Sequence, residues 1–179
     1  IANNAQGMVK ALAIGFDQSK LVNRVTSNVA SDFPHPLLDG KVDFNKDRIA
    51  GDSEMLISAK TLADSIRALS VGITGRISRV QELEWPDEDV AQRTRKFLDS
   101  MQQAFKADFA RPAAEFRKNS LLSSGTIFRV LAGVWFELTS STNAQGKAIK
   151  PRMSVEDATK FFASLAPHMQ LPIKPGNKW

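Results

Sequence analysis

The residues best suited to chemistry lie in one run, Arg117-Lys118-Asn119-Ser120-Leu121-Leu122-Ser123-Ser124-Gly125-Thr126. Arg117 and Lys118 supply positive charge, and Ser123 and Ser124 stand just before a strongly apolar helical pattern. The first turn of a helix has backbone N–H groups without intrahelical acceptors, and its dipole adds partial positive charge. The chemistry this points to is anion binding. A DNA phosphate would dock at the helix start with Arg117 or Lys118 assisting. The competing reading is plain capping by Ser123 or Ser124, with both bases in solvent. A second basic cluster, Lys147, Lys150 and Arg152, falls in a polar stretch read as a loop. Such loops contact phosphate without sequence preference, or are simply solvated.

Other constellations are bland. There is no cysteine, which excludes disulfides, thiolate metal sites and a cysteine nucleophile. His35 and His168 each sit beside proline and read as surface residues, not metal ligands. The acidic run Glu82, Glu84, Asp87, Glu88 and Asp89 fits a helix N-terminus better than a hard-cation site. No phosphate-binding glycine fingerprint, GxSxG elbow or supported serine–histidine–acid triad occurs. Trp85, Trp135 and Trp179 are scattered and make no stacking platform. The expectation is no catalytic residue, no metal and no cofactor.

These residues need a helical frame. Met8, Val9, Leu12 and Phe16 mark a helix over Ala5–Phe16, and Leu21, Val22, Val25, Val29 and Phe33 mark one over Lys20–Phe33. Pro34 and Pro36 end it. The polar stretch Leu37–Glu54 reads as a loop with a short extended piece around Val42 and Phe44. Ser58 caps a helix to about Leu69, with Leu62, Ile66 and Leu69 inward. Val71–Val80, with two glycines and β-branched residues, reads as a turn or a short strand. Pro86–Phe109 reads as one long helix with Val90, Phe97, Leu98, Met101, Phe105 and Phe109 inward. A short helix follows Pro112. Ser123 or Ser124 then opens the most apolar helix, which runs to about Ser140 and carries Ile127, Phe128, Leu131, Val134, Trp135 and Leu138. Ser154 caps the last helix, ending near Pro167, and Gln170–Trp179 reads as an irregular tail.

The fold class expected is therefore all-α: one helical domain over residues 1–179, six to eight helices around the central apolar one. At 179 residues and 42% hydrophobic content a single core is feasible. The absence of an initiator Met at Ile1 points to a piece of a longer protein. No apolar run reaches the length of a membrane span; the longest, Ile127–Leu138, is interrupted by Arg129 and Glu137. Net charge is +5, and residues 116–179 carry nine bases against three acids. A basic C-terminal half favours a polyanionic partner.

The order of segments also resembles the region after the DGQHR motif in the DndB-like family, proteins associated with DNA sulfur modification. The resemblance runs through Asn3-Asn4-Ala5-Gln6-Gly7-Met8-Val9-Lys10, Val22-Asn23-Arg24-Val25-Thr26 and Gly40-Lys41-Val42-Asp43. It continues through Leu56-Ile57-Ser58-Ala59-Lys60-Thr61-Leu62, the stretch from Arg117 to Leu138, and Asn177-Lys178-Trp179. The DGQHR motif itself is absent, so no chemistry resting on it carries over. What the resemblance implies is a DNA-associated regulatory or defence role in a bacterium, with DNA and other proteins of a modification or defence system as partners.

The function expected is non-enzymatic nucleic-acid or partner binding in the cytoplasm, with no membrane. The nucleic-acid-binding candidates are Arg117, Lys118, Ser123, Ser124, Lys147, Lys150 and Arg152. Two other readings stand beside it. One is a protein–protein scaffold, which would expose a contiguous apolar patch. The other is the non-catalytic part of an enzyme whose active site lies upstream.

Overall fold

A computed structural model describes residues 17–171. The helix expected over Ala5–Phe16 and most of the tail from Gln170 lie outside the described residues. What is described is predominantly helical. Eight α-helices occur there: α1 Leu21–Ser27, α2 Ala59–Val71, α3 Arg79–Glu84, α4 Asp87–Ala104, α5 Lys106–Phe109, α6 Ala113–Asn119, α7 Gly125–Thr139 and α8 Val155–Leu165. Two strands of two residues, β1 Val42–Asp43 and β2 Ile57–Ser58, pair in parallel with Val42 opposite Ile57. Among the described residues no helix is long and apolar enough to cross a membrane.

The core is built on aromatic rings. Phe97 of α4 meets Phe128 and Trp135 of α7 edge-on at 5.6 and 6.0 Å, and Phe162 of α8 at 6.5 Å. Edge-to-face rings at these spacings add about 0.5–1.5 kcal/mol per pair beyond their buried area. All four side chains are at most 3% exposed. The apolar helix expected at 124–140 is thus α7, which packs along α2, touches α8 and meets α4 through Phe97.

The α2–α7 contact is close and parallel. Thr61 near the start of α2 lies against Gly125 at the start of α7, and Gly72 just past α2 lies against Phe136. Glycine is what permits the approach. A β-carbon on Gly125 would stand 2.8 Å from Thr61 Cγ2, and one on Gly133 would stand 3.0 Å from Ile73 Cβ. Gly72 also has φ of 81°, a conformation open to glycine, which ends α2.

Several expectations need correction. The Lys20–Phe33 helix is α-helical only to Ser27, and Asn28–Asp32 form a π-helical turn with Phe33 N–H donating to Asn28 O. That turn inserts extra chain into the spacing, so position 33 leaves the buried stripe and Phe33 is 62% exposed. His35 is not a surface residue. It is 3% exposed, its Nδ1 accepts from Leu37 N–H, and its Nε2 lies 3.0 Å from Asp99 Oδ1. Of the two readings of Val71–Val80, the turn holds, with Gly75 N–H donating to Gly72 O, and no strand forms: α2 runs through Val71, and α3 begins at Arg79 with Ser78 and Gln81 forming a reciprocal cap. The helix expected over Pro86–Phe109 breaks at Phe105, where φ and ψ are −115° and 34°. The break separates the rings that an unbroken helix would stack on one stripe. Phe105 packs on Phe162, and Phe109 packs on Phe116.

Candidate functional site

The groove with the strongest chemistry, about 700 Å³, opens where α2 and α7 both begin. Because these helices run parallel, both positive dipole ends point to the same place. Ser58 caps α2: its Oγ accepts from Thr61 N–H at 3.1 Å and reaches Asp47 O at 3.0 Å. That second bond ties down the crossover loop between β1 and β2, whose Asp47, Arg48 and Ile49 form one wall.

The start of α7 is different. Ser124 occupies the capping position but its side chain makes no capping bond. Ser123 Oγ turns away to Ser120 O at 2.7 Å. The first intrahelical bond is Phe128 N–H to Ser124 O, so Gly125, Thr126 and Ile127 N–H have no acceptor among the described residues. Neither serine supplies the side-chain cap that the bland reading required.

Charge reinforces the helix ends. Arg48, Lys60, Arg117 and Arg129 line the groove against two acids, Asp47 and Asp64. Lys60 pairs with Asp47 at 3.2 Å, and Asp64 approaches Arg67 at 3.8 Å. Arg117 is a brace: its guanidinium donates to Ala113 O at 2.9 Å and to Met55 O across the groove. Burial pulls its pKa below the ordinary guanidinium value, with Glu54 and Asp52 opposing. Arginine at such a site remains a cation at neutral pH. The side chains of Arg48 and Arg129 make no hydrogen bond or ion pair among the described residues, and Arg129 Nε is buried without a partner. The arrangement is a concave site with unspent donors and uncompensated positive charge, which is chemistry for an anion.

Of the residues expected from sequence, Arg117, Ser123 and Ser124 come together here. Lys118 is exposed on α6 and does not line the groove. Lys147, Lys150 and Arg152 are exposed in the segment between α7 and α8, also away from it. The groove instead recruits Arg48, Lys60 and Arg129, which sequence reasoning missed. The available signal was Arg129, a charge set inside the most apolar helix, together with Lys60 in the first turn of a Ser58-capped helix. Among the described residues no group of three or more His, Asp or Glu is arranged to hold a metal. His168 is exposed. Compared with models of known protein families, with curated proteins and with solved structures, the chain matches none.

Proposed function

We propose that this chain is a DNA-associated, non-enzymatic module of DndB-like type, acting in a cytoplasmic modification or defence system, and that its groove receives a backbone phosphate. The observation that carries the reading is the side-by-side start of α2 and α7, where Gly125 and Thr126, whose N–H groups have no acceptor among the described residues, line one groove with Arg48 and Arg129. Helix starts and arginines are the usual phosphate partners in nucleic-acid complexes. The resemblance of residues 56–62 and 117–138 to the DndB-like region adds support, since those two segments build both helix starts. The contact set differs from the one expected from sequence: it draws on both halves of the chain, not mainly on the basic C-terminal half.

Binding of labelled DNA as a function of salt tests the reading. The observed affinity is expected to fall linearly on a log–log plot, because each phosphate neutralised releases condensed counterions. Arg48→Glu with Arg129→Glu is expected to cost at least about tenfold at low salt and to flatten the slope by roughly one to two. No binding at low salt, or an unchanged slope in the double variant, overturns it.

A second reading has one observation of its own. Val80 and Leu83 on α3 are 58% and 80% exposed. An exposed apolar helix face is how a scaffold holds a partner chain. Pull-down of a modification-system protein that survives the double glutamate variant but is lost on Val80→Ser with Leu83→Ser would favour it.

A further inference from the structure

We propose that the groove selects single-stranded over duplex DNA, seating one base against Phe109 and Leu56 while the adjoining phosphate meets the α7 start. This rests on the phosphate-binding reading of the groove and adds the kind of strand it takes.

The cationic lining occupies only part of the groove. Phe109, Leu56 and Ile49 are half-buried and also line it, so the concavity has an apolar wall beside the charged one. A duplex offers its phosphates on a convex exterior and keeps its base faces stacked inside. Docked on this groove it would leave the apolar wall unmatched. An unstacked base has a free π-face, and a cationic track beside an aromatic ring is the combination used to hold single strands. The volume agrees: about 700 Å³ lies within the range of roughly 300–1,000 Å³ typical of sites that enclose a small molecule. Phe109 is also held for the task. Its ring packs on Phe116 at 5.4 Å, and the break at Phe105 starts a separate short helix that carries it. Arg129 then stands on the same groove within two turns of the α7 start, unpaired and available to the neighbouring phosphate.

The test compares a labelled oligothymidylate with a duplex of equal length, at one salt concentration, by fluorescence anisotropy. The single strand is expected to bind at least tenfold tighter. Phe109→Leu, which keeps apolar volume and removes the π-face, is expected to weaken single-strand binding about five- to hundredfold and leave duplex binding unchanged. Phe109→Trp is expected to retain it, and a melting temperature for each variant separates lost stacking from lost folding. Equal or tighter duplex binding, or a folded Phe109→Leu protein with unchanged single-strand affinity, overturns the inference. In those cases a salt-dependent loss in Arg48→Glu with Arg129→Glu leaves the phosphate site standing. Oligouridylate binding tighter than oligothymidylate would overturn the DNA assignment in favour of RNA.

Discussion

Gly125 opens α7 directly against Thr61 of α2, with a space between them too small for one more carbon. A β-carbon at 125 would lie 2.8 Å from Thr61 Cγ2 and 3.0 Å from Thr61 Oγ1. Thr61 cannot yield freely, because that hydroxyl also meets Ser58 Oγ at 2.9 Å. Gly125→Ala is therefore expected to destabilise by about 1–3 kcal/mol, despite alanine's better helix propensity. Thr61→Ser removes the methyl and should restore most of it. A double-mutant cycle in urea measures the coupling, and additive effects would refute the contact.

His35 and Asp99 form a pair of unequal members. The histidine side chain is 4% exposed and the aspartate 71%. The loss should follow burial, not the ion-pair geometry. His35→Ala leaves Leu37 N–H without its acceptor and is expected to cost about 1–3 kcal/mol from that group alone. Asp99→Ala is expected to cost under about 1 kcal/mol. Denaturant midpoints decide, and a larger loss for Asp99→Ala would refute the ordering.

Asp32, at the end of the π-helical turn, has one carboxylate oxygen buried without a partner. Burial holds its carboxyl above the ordinary 3.8. A carboxyl whose pKa is raised on folding binds its proton more tightly in the folded state. It therefore subtracts stability as pH rises through that window, and the loss is complete above it. Asp32→Asn is expected to raise the melting temperature at pH 7, with the gain shrinking as pH falls toward 4. A gain independent of pH would show that charge is not the cause.

The two helix starts make opposite predictions for serine. Ser58→Ala removes a working cap and should cost about 0.5–2 kcal/mol. Ser124→Ala should cost little, since no capping bond is lost. Ser124→Asp places a fixed anion at the open α7 start and is expected to stabilise by about 0.3–1 kcal/mol. The same aspartate should weaken DNA binding by repelling the incoming phosphate. Thermal melts and anisotropy on one preparation test both halves, and unchanged affinity in a stabilised Ser124→Asp protein would refute the site.

The helical frame was legible because its signals are local. Ser58 and Ser154 precede apolar spacings and do cap their helices. Phe97, Phe128, Trp135 and Phe162 each fall on the apolar stripe of their own helix and are buried together. What stayed hidden depends on partners far along the chain. His35 beside two prolines gives no sign that Asp99 will cover it. The π-helical turn has no simple periodicity, and Phe33 was misplaced by it. Of the groove, only the part around Arg117, Ser123 and Ser124 could be read, since it lies in one run. Arg48 and Lys60 arrive through the β1–β2 pairing and the parallel α2–α7 contact, which no local window contains.

The wall that brings Arg48 to the groove is tied to the helices by Lys60 and Arg117 and closed by the β1–β2 pair. Leu56 N–H donates to Lys41 O at 2.7 Å, and Ser58 Oγ reaches Asp47 O at 3.0 Å. Of its side chains, Phe44 and Leu56 pack against the hydrophobic core, while Asn45, Lys46, Asp47 and Arg48 are exposed. Lengthening such a loop costs only slowly rising closure entropy. The exposed middle of the crossover is thus an exchangeable part: evolution or an engineer can rewrite which ligand the groove prefers by editing residues 45–48, while the helices beneath go on folding as before.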